Sequence, residues 1–124
     1  MELLDSEVRW SDRLILKSIR NPSGYPYTIK MSTEEVTFIG VPKQPDFAKV
    51  VIEFLPNERV IELKSLKEYF ADFRNRVLSY ERFINVVFVD LMKVYDPKYV
   101  KIVVLCNPRG GISSELTIES QRKD

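Results

Sequence analysis

The sequence predicts an α+β domain of order ββααββ: an antiparallel four-stranded sheet with two helices on one face. Three observations predict it. Residues 27–39 and 47–55 alternate apolar and polar side chains, the period of a half-buried strand. Residues 66–75 and 79–95 carry apolar side chains at helical spacing instead, and residues 98–106 and 112–119 return to alternation. Two hairpins flanking two helices pack economically when both helices cover one face of a single sheet.

Residues 1–20 hold Val8, Trp10, Leu14, Ile15, Leu16 and Ile19 among charges, a pattern that fits a strand or a docked arm at the periphery. Asn21, Pro22, Ser23, Gly24 and Pro26 follow as a loop. The arm and loop thus span residues 1–26, the domain residues 27–120, and a tail residues 121–124. In the first strand Tyr27, Ile29 and Met31 share one parity, and the charged pair Glu34 and Glu35 marks a break before Val36, Phe38 and Ile39. Residues 40–46 are expected to leave the sheet as a loop, because Pro42 and Pro45 would each remove a ladder donor. Val50, Ile52 and Phe54 then line one face of the second strand. A turn over residues 56–59 leads through Val60 and Ile61 into the first helix.

Ser65 followed by Glu68 has capping-box spacing, and Leu66, Tyr69, Phe70 and Phe73 bury one face up to a stop at Asn75. Ser79 is the expected N-cap of the second helix, which carries Phe83, Ile84, Val87, Phe88, Leu91 and Tyr95 and ends before Asp96 and Pro97. Val100, Ile102, Val104 and Cys106 line the third strand. Leu116 and Ile118 point inward from the fourth, and residues 120–124 are expected to fray.

Composition narrows the function classes. A chain of 124 residues suffices for one domain, whose remaining apolar surface is available to neighbouring subunits. Its 19 basic and 18 acidic residues leave a net charge of +1, so no global field favours nucleic acid. The first ten residues are acidic rather than leader-like, and the apolar stretch 83–89 stops at Asp90, far short of a membrane span; a soluble, cytoplasmic protein is expected. Histidine is absent and cysteine occurs once, which removes Cys/His metal centres, Ser-His and Cys-His nucleophile pairs, and an intramolecular disulfide. No metal is expected. Cys106, on the apolar parity of its strand, reads as buried and unreactive.

The run ELKSLKEYFADFRNRVLSYE, residues 62–81, lies between the two strand blocks. On pattern alone it is a helical hairpin with a solvated charged face. Together with Gln44, Pro45, Asp46, Phe47 and Ala48 upstream and with residues 107–113 downstream, it resembles the 7-cyano-7-deazaguanine reductase family, which makes a queuosine precursor used in tRNA modification. Glu62, Lys64, Ser65, Leu66, Lys67, Tyr69, Phe73, Arg74, Asn75 and Glu81 match that family's motif in order. The resemblance implies the tunnelling fold (T-fold). In that fold ββααββ units join edge to edge into rings, here a homo-oligomer such as a pentamer or decamer, with substrate sites at subunit interfaces. Ring closure would also remove the exposed sheet edges.

The resemblance also implies roles. Glu81 would accept two N–H donors from a guanine-like base, with Glu62 as a second contact. Asp46 would be the general acid; read alone, it is equally a loop aspartate capping a backbone N–H. Lys64, Lys67, Arg74 and Arg109 would lie on the side of an NADPH cofactor; read alone, they are a solvated helix face and a hairpin loop. The family adds a cysteine thiolate to the nitrile and reduces the resulting thioimide with NADPH. Here Gly40 or Val41 stands where that cysteine should be. Tyr80 replaces a histidine, and Asp72 a serine. Two readings follow: a reductase-like protein that keeps the deazapurine site, or a non-catalytic purine- or pterin-binding scaffold. A metal-free pterin enzyme is the remaining alternative.

Overall fold

The computed structural model describes residues 10–41 and 43–123. Within these residues the strands and α-helices follow one another as β1 (Ser18–Arg20), β2 (Ile29–Ser32), β3 (Val36–Gly40), β4 (Gln44–Leu55), β5 (Arg59–Ile61), α1 (Leu63–Ala71), α2 (Tyr80–Tyr95), β6 (Tyr99–Arg109) and β7 (Ile112–Glu119). The main sheet is antiparallel throughout. β4 pairs with β6, β6 with β7, and β2 and β3 lie end to end along the other edge of β4.

β2 and β3 are the two halves of the expected interrupted strand. Ile29 faces Phe54 and Ser32 faces Val51, whereas Val36 faces Ala48. Thr33 stitches the gap: its N–H donates to the Val50 carbonyl at 2.9 Å, and its Oγ1 accepts from the Val50 N–H at 2.9 Å. One side chain thereby supplies the acceptor that a continuous strand would have offered.

The expected loop over residues 40–46 is instead largely strand: β3 runs to Gly40, β4 begins at Gln44, and the two residues pair, while Pro42 lies outside the described residues. Pro45 lies opposite Ile39 inside the ladder. The Ile39 N–H donates to the Arg76 carbonyl at 2.9 Å, and the Ile39 carbonyl accepts from the Leu78 N–H at 3.0 Å. The backbone groups of Ile39 therefore point away from β4, and its partner needs no donor. On its other side β4 meets β6 only from Ala48 onward. Proline costs nothing there.

Glu62, rather than Ser65, caps α1. Its two carboxylate oxygens accept from the N–H groups of Lys64 at 3.0 Å and Ser65 at 2.9 Å. Ser65 lies inside the first turn, donating to the Glu62 carbonyl at 2.7 Å and accepting from the Lys17 N–H at 2.9 Å. Ser and Glu at capping-box spacing are present in the sequence, but the helix starts one residue after Glu62. A 3-10 turn, Asp72–Asn75, closes it, fastened by Arg76 Nε to Asp72 Oδ2 at 2.7 Å. Ser79 caps α2 as expected, accepting from the Arg82 N–H at 3.1 Å, and Asp96 ends it in the left-handed conformation with φ 42°.

Both helices pack on one face of the sheet. Phe38 stacks on Phe83 with centroids 4.8 Å apart, Phe83 meets Phe73 edge-on at 4.9 Å, and Phe73 meets Tyr69 at 5.2 Å. Such pairs add directional preference to burial that is already near complete. The arm is docked: Leu16 joins the core, and β1 pairs with β5. Fully buried Asp90 accepts from Ser11 Oγ at 2.7 Å and from the Tyr69 hydroxyl, tying the arm to both helices. Residues 1–9, where Val8 lies, fall outside the described residues. The described part of the tail, through Lys123, is not frayed. Ser120 donates its N–H to the Val100 carbonyl at 2.9 Å, Lys123 donates its N–H to Lys98 at 2.9 Å, and the Arg122 guanidinium sits 4.1 Å over the Tyr99 ring.

Candidate functional site

Three segments far apart in sequence meet at one end of the sheet. The β3–β4 hairpin brings Gly40 and Asp46, the first turn of α2 brings Tyr80 and Glu81, and the β6–β7 hairpin brings Cys106, Arg109 and Ser114. Sheet register does much of this work, because Ala48 faces Cys106 and Cys106 faces Ser114. Gly110 and Gly111, with φ 56° and 80°, turn the β6–β7 hairpin in a conformation that side chains disfavour.

Asp46 is the centre. It is only 5% exposed and forms an ion pair with Arg109 Nη2. Its other carboxylate oxygen lies against Gly40: a β-carbon built on Gly40 would stand 1.9 Å from Asp46 Oδ2 and 2.7 Å from its Cγ. The carboxylate thus fills the space that a side chain at residue 40 would need. The Tyr80 hydroxyl donates to the Phe47 carbonyl at 3.0 Å, and its ring meets Phe38 edge-on at 5.4 Å. Burial, and then the Asp46 charge, raise the Tyr80 pKa. Tyr80 is therefore a neutral hydrogen-bond donor here.

Cys106 is 7% exposed. Burial raises its pKa first; a hydrogen bond with Ser114 works in the opposite direction, and the carboxylates of Glu81 and Asp46 raise it further. The thiol is accordingly held protonated, which fits an unreactive cysteine. Glu81 is exposed, in the first turn of α2, where the helix dipole favours an anion.

The other sequence-selected residues lie elsewhere on the chain. Lys67 and Arg74 line a cavity of about 510 Å³ between α1 and the β2–β3 break, over an apolar floor that includes Leu66 and Phe70 and opposite Glu34 and Glu35. Glu62 and exposed Lys64 stand at the start of α1. Within one chain Arg109 is therefore grouped with Asp46, not with Lys67 and Arg74. Sequence reasoning missed Ser114 and Thr33. Pairing residues outward from the Gly110-Gly111 turn could have found Ser114, whereas no pattern signals Thr33. Among the described residues no group of His, Cys, Asp and Glu is arranged to hold a metal ion, and no helix is long and apolar enough to cross a membrane.

Residues 45–124 match the family model described as QueF-like protein. The chain is 36% identical over 127 residues to the NADPH-dependent 7-cyano-7-deazaguanine reductase of Thermosynechococcus vestitus, covering 95% of this chain and 94% of that protein. It is 40% identical over 98 residues to the enzyme of the same name from Sulfurimonas denitrificans, covering 77% and 78%. A crystal structure of an archaeosine synthase, QueF-Like, in the apo form superposes with a TM-score of 0.65 at 20% identity, over 82% of this chain and 99% of that one. That likeness bears on the fold, which is the tunnelling fold. With a family model spanning most of the site segments and relatives matched along nearly the whole chain, the protein belongs to the QueF-like family.

Proposed function

We propose that this chain binds a guanine-like deazapurine, 7-cyano-7-deazaguanine being the first candidate, at the site built by Asp46, Tyr80, Glu81 and Arg109, and that it does so without a thioimide formed at residue 40 or 41. The convergence of the three segments on Asp46 carries this reading. Glu81 would accept two N–H groups from the base edge, a match that an amide could not make. Gly40 leaves no nucleophile beside Asp46, and Asp46 itself closes the gap.

Two further parts belong to the same reading. Lys67 and Arg74 would hold phosphate groups of NADPH at their cavity, whose volume is in the range of ligand pockets, with Lys64 nearby on the same helix. NADPH, when bound, supplies hydride. The cofactor-side cations and the Asp46 site would be completed across subunits of a homo-oligomeric ring. Light scattering on the purified protein tests for the pentamer or decamer; a monomer at working concentration would leave each site half-built.

Calorimetric titration with 7-cyano-7-deazaguanine, run on the wild type and on Glu81→Ala, tests the base site. Binding that the variant loses supports it. Absence of binding to the wild type removes it.

A further inference from the structure

We propose that Tyr80 is the positioning residue of this site: the bond from its hydroxyl to the Phe47 carbonyl holds Glu81 where it can meet two N–H groups of a base edge at once. The inference rests on the deazapurine-binding reading above and names what sets the geometry of that site.

Three observations carry it. The polar groups around Glu81 are engaged within the protein: one Asp46 oxygen pairs with Arg109, the other fills the space beside Gly40, and the Tyr80 hydroxyl donates to Phe47 at 3.0 Å. Glu81, in contrast, is exposed, and its carboxylate makes no hydrogen bond or ion pair with any other described residue. Among the site's carboxylates it is the one left to meet a ligand.

The second observation is where the bond lies. Tyr80 and Glu81 are consecutive residues at the start of α2, and Phe47 follows Asp46 on β4 as the last residue before the ladder with β6 begins at Ala48. A single hydrogen bond therefore joins the two segments that carry the site's carboxylates, one residue away from each.

The third is what the neighbouring ties leave undone. Arg76 and Leu78 fasten the chain ahead of α2 to Ile39 alone, on β3. Attachment to one residue leaves the first turn of α2 room to pivot, and a further attachment on β4 fixes its rotation. The Tyr80 ring also lies edge-on to Phe38 at 5.4 Å, and Phe38 faces Asp46 across the β3–β4 ladder. Burial, and then the Asp46 charge, keep the hydroxyl protonated, so it remains a donor. A carboxylate fixed in this way offers both oxygens to the base together, whereas one that swings must be ordered at each binding event.

The experiment is calorimetric titration of the full chain, as wild type and as Tyr80→Phe, with 7-cyano-7-deazaguanine and with its analogue lacking the 2-amino group. Phenylalanine keeps the ring against Phe38 and removes only the hydroxyl. Glu81 can take two N–H groups from the first base and one from the second, so the wild type should prefer the first by about tenfold or more, the range for one hydrogen bond to a charged group. Tyr80→Phe should weaken the first base by about tenfold and the analogue by less than about threefold, so that the preference collapses. Equal weakening of both bases overturns the inference, because a general loosening of the fold or a contact elsewhere on the base would act on the two alike. Unchanged affinity for both in Tyr80→Phe overturns it as well. A wild type that binds both bases equally removes the two-pronged Glu81 contact and the role of Tyr80 with it, while a wild type that binds neither removes the binding site itself.

Discussion

Gly40 and the Asp46 carboxylate share one volume: the missing β-carbon of the glycine would lie 1.9 Å from Asp46 Oδ2. Gly40 is not among the residues with positive φ, so the constraint comes from collision rather than from backbone conformation. Gly40→Ala should therefore destabilise the protein by about 1–3 kcal/mol, the range for overpacking. In an Asp46→Ala background the same change should cost much less, because the remaining close contact is the Gln44 carbonyl at 3.2 Å. Urea unfolding of the four proteins measures the coupling. Additive effects would show that the two groups do not compete.

Thr33 substitutes for a missing ladder residue. Thr33→Val keeps the shape but leaves the Val50 N–H without its acceptor at 2.9 Å. A loss of about 1–3 kcal/mol is expected, the cost of an unmet buried donor. Amide exchange should quicken first at Val50. Unchanged exchange there would mean that the strand closes the gap by another route.

Glu62 makes two hydrogen bonds to the start of α1. Glu62→Ala should lower stability by about 0.5–2 kcal/mol, as loss of an N-cap does. The base contact implied by the family resemblance makes a different prediction. If Glu62 grips ligand, its removal weakens deazapurine binding in calorimetry; if it is solely a cap, affinity stays constant while the unfolding midpoint falls.

Alkaline pH should expose the tyrosines. Burial raises the Tyr95 pKa from 10.0 to about 12, and burial, followed by the Asp90 charge, raises Tyr69 well above its ordinary value. Both folded pKa values exceed the unfolded one, so the stability they represent is full below about pH 10 and is lost as pH rises through the folded values. Urea midpoints should hold steady from about pH 8 and then fall steeply as pH climbs past about 10. Tyr95→Phe should flatten that decline while lowering neutral-pH stability by about 0.5–1.5 kcal/mol, through loss of the 2.7 Å bond to the Lys17 carbonyl. A decline equally steep in the variant would assign the alkaline loss to Tyr69 and the other tyrosines.

The fold was legible because period-2 and period-3.6 patterns depend only on which face is buried, and here both helices and the central strands β4 and β6 bury one face. Even the break at Glu34 and Glu35 was visible as a charged pair inside a strand. What failed was local and steric. Pro45 reads as a strand breaker unless it is known that Ile39 is bonded to Arg76 and Leu78, a tertiary fact. Ser65 and Glu68 have capping-box spacing, but Glu62 reaches the same N–H groups first. At the site, family motifs selected Asp46, Glu81 and Arg109, which come together in space. No pattern could disclose that the Asp46 carboxylate occupies the space beside Gly40, because that depends on one rotamer in a folded hairpin.

The bonds from Ile39 to Arg76 and Leu78 also bear on aggregation. They occupy both backbone groups of Ile39 on the outward side of β3, where Val77 bridges in parallel. A foreign strand approaching this side of the sheet finds four residues of β2 and then a blocked rail, too short a template for sustained cross-β growth. β7, eight residues long, is the longer ledge. The two rims of the sheet thus differ in the length of unpaired backbone they offer to an approaching strand.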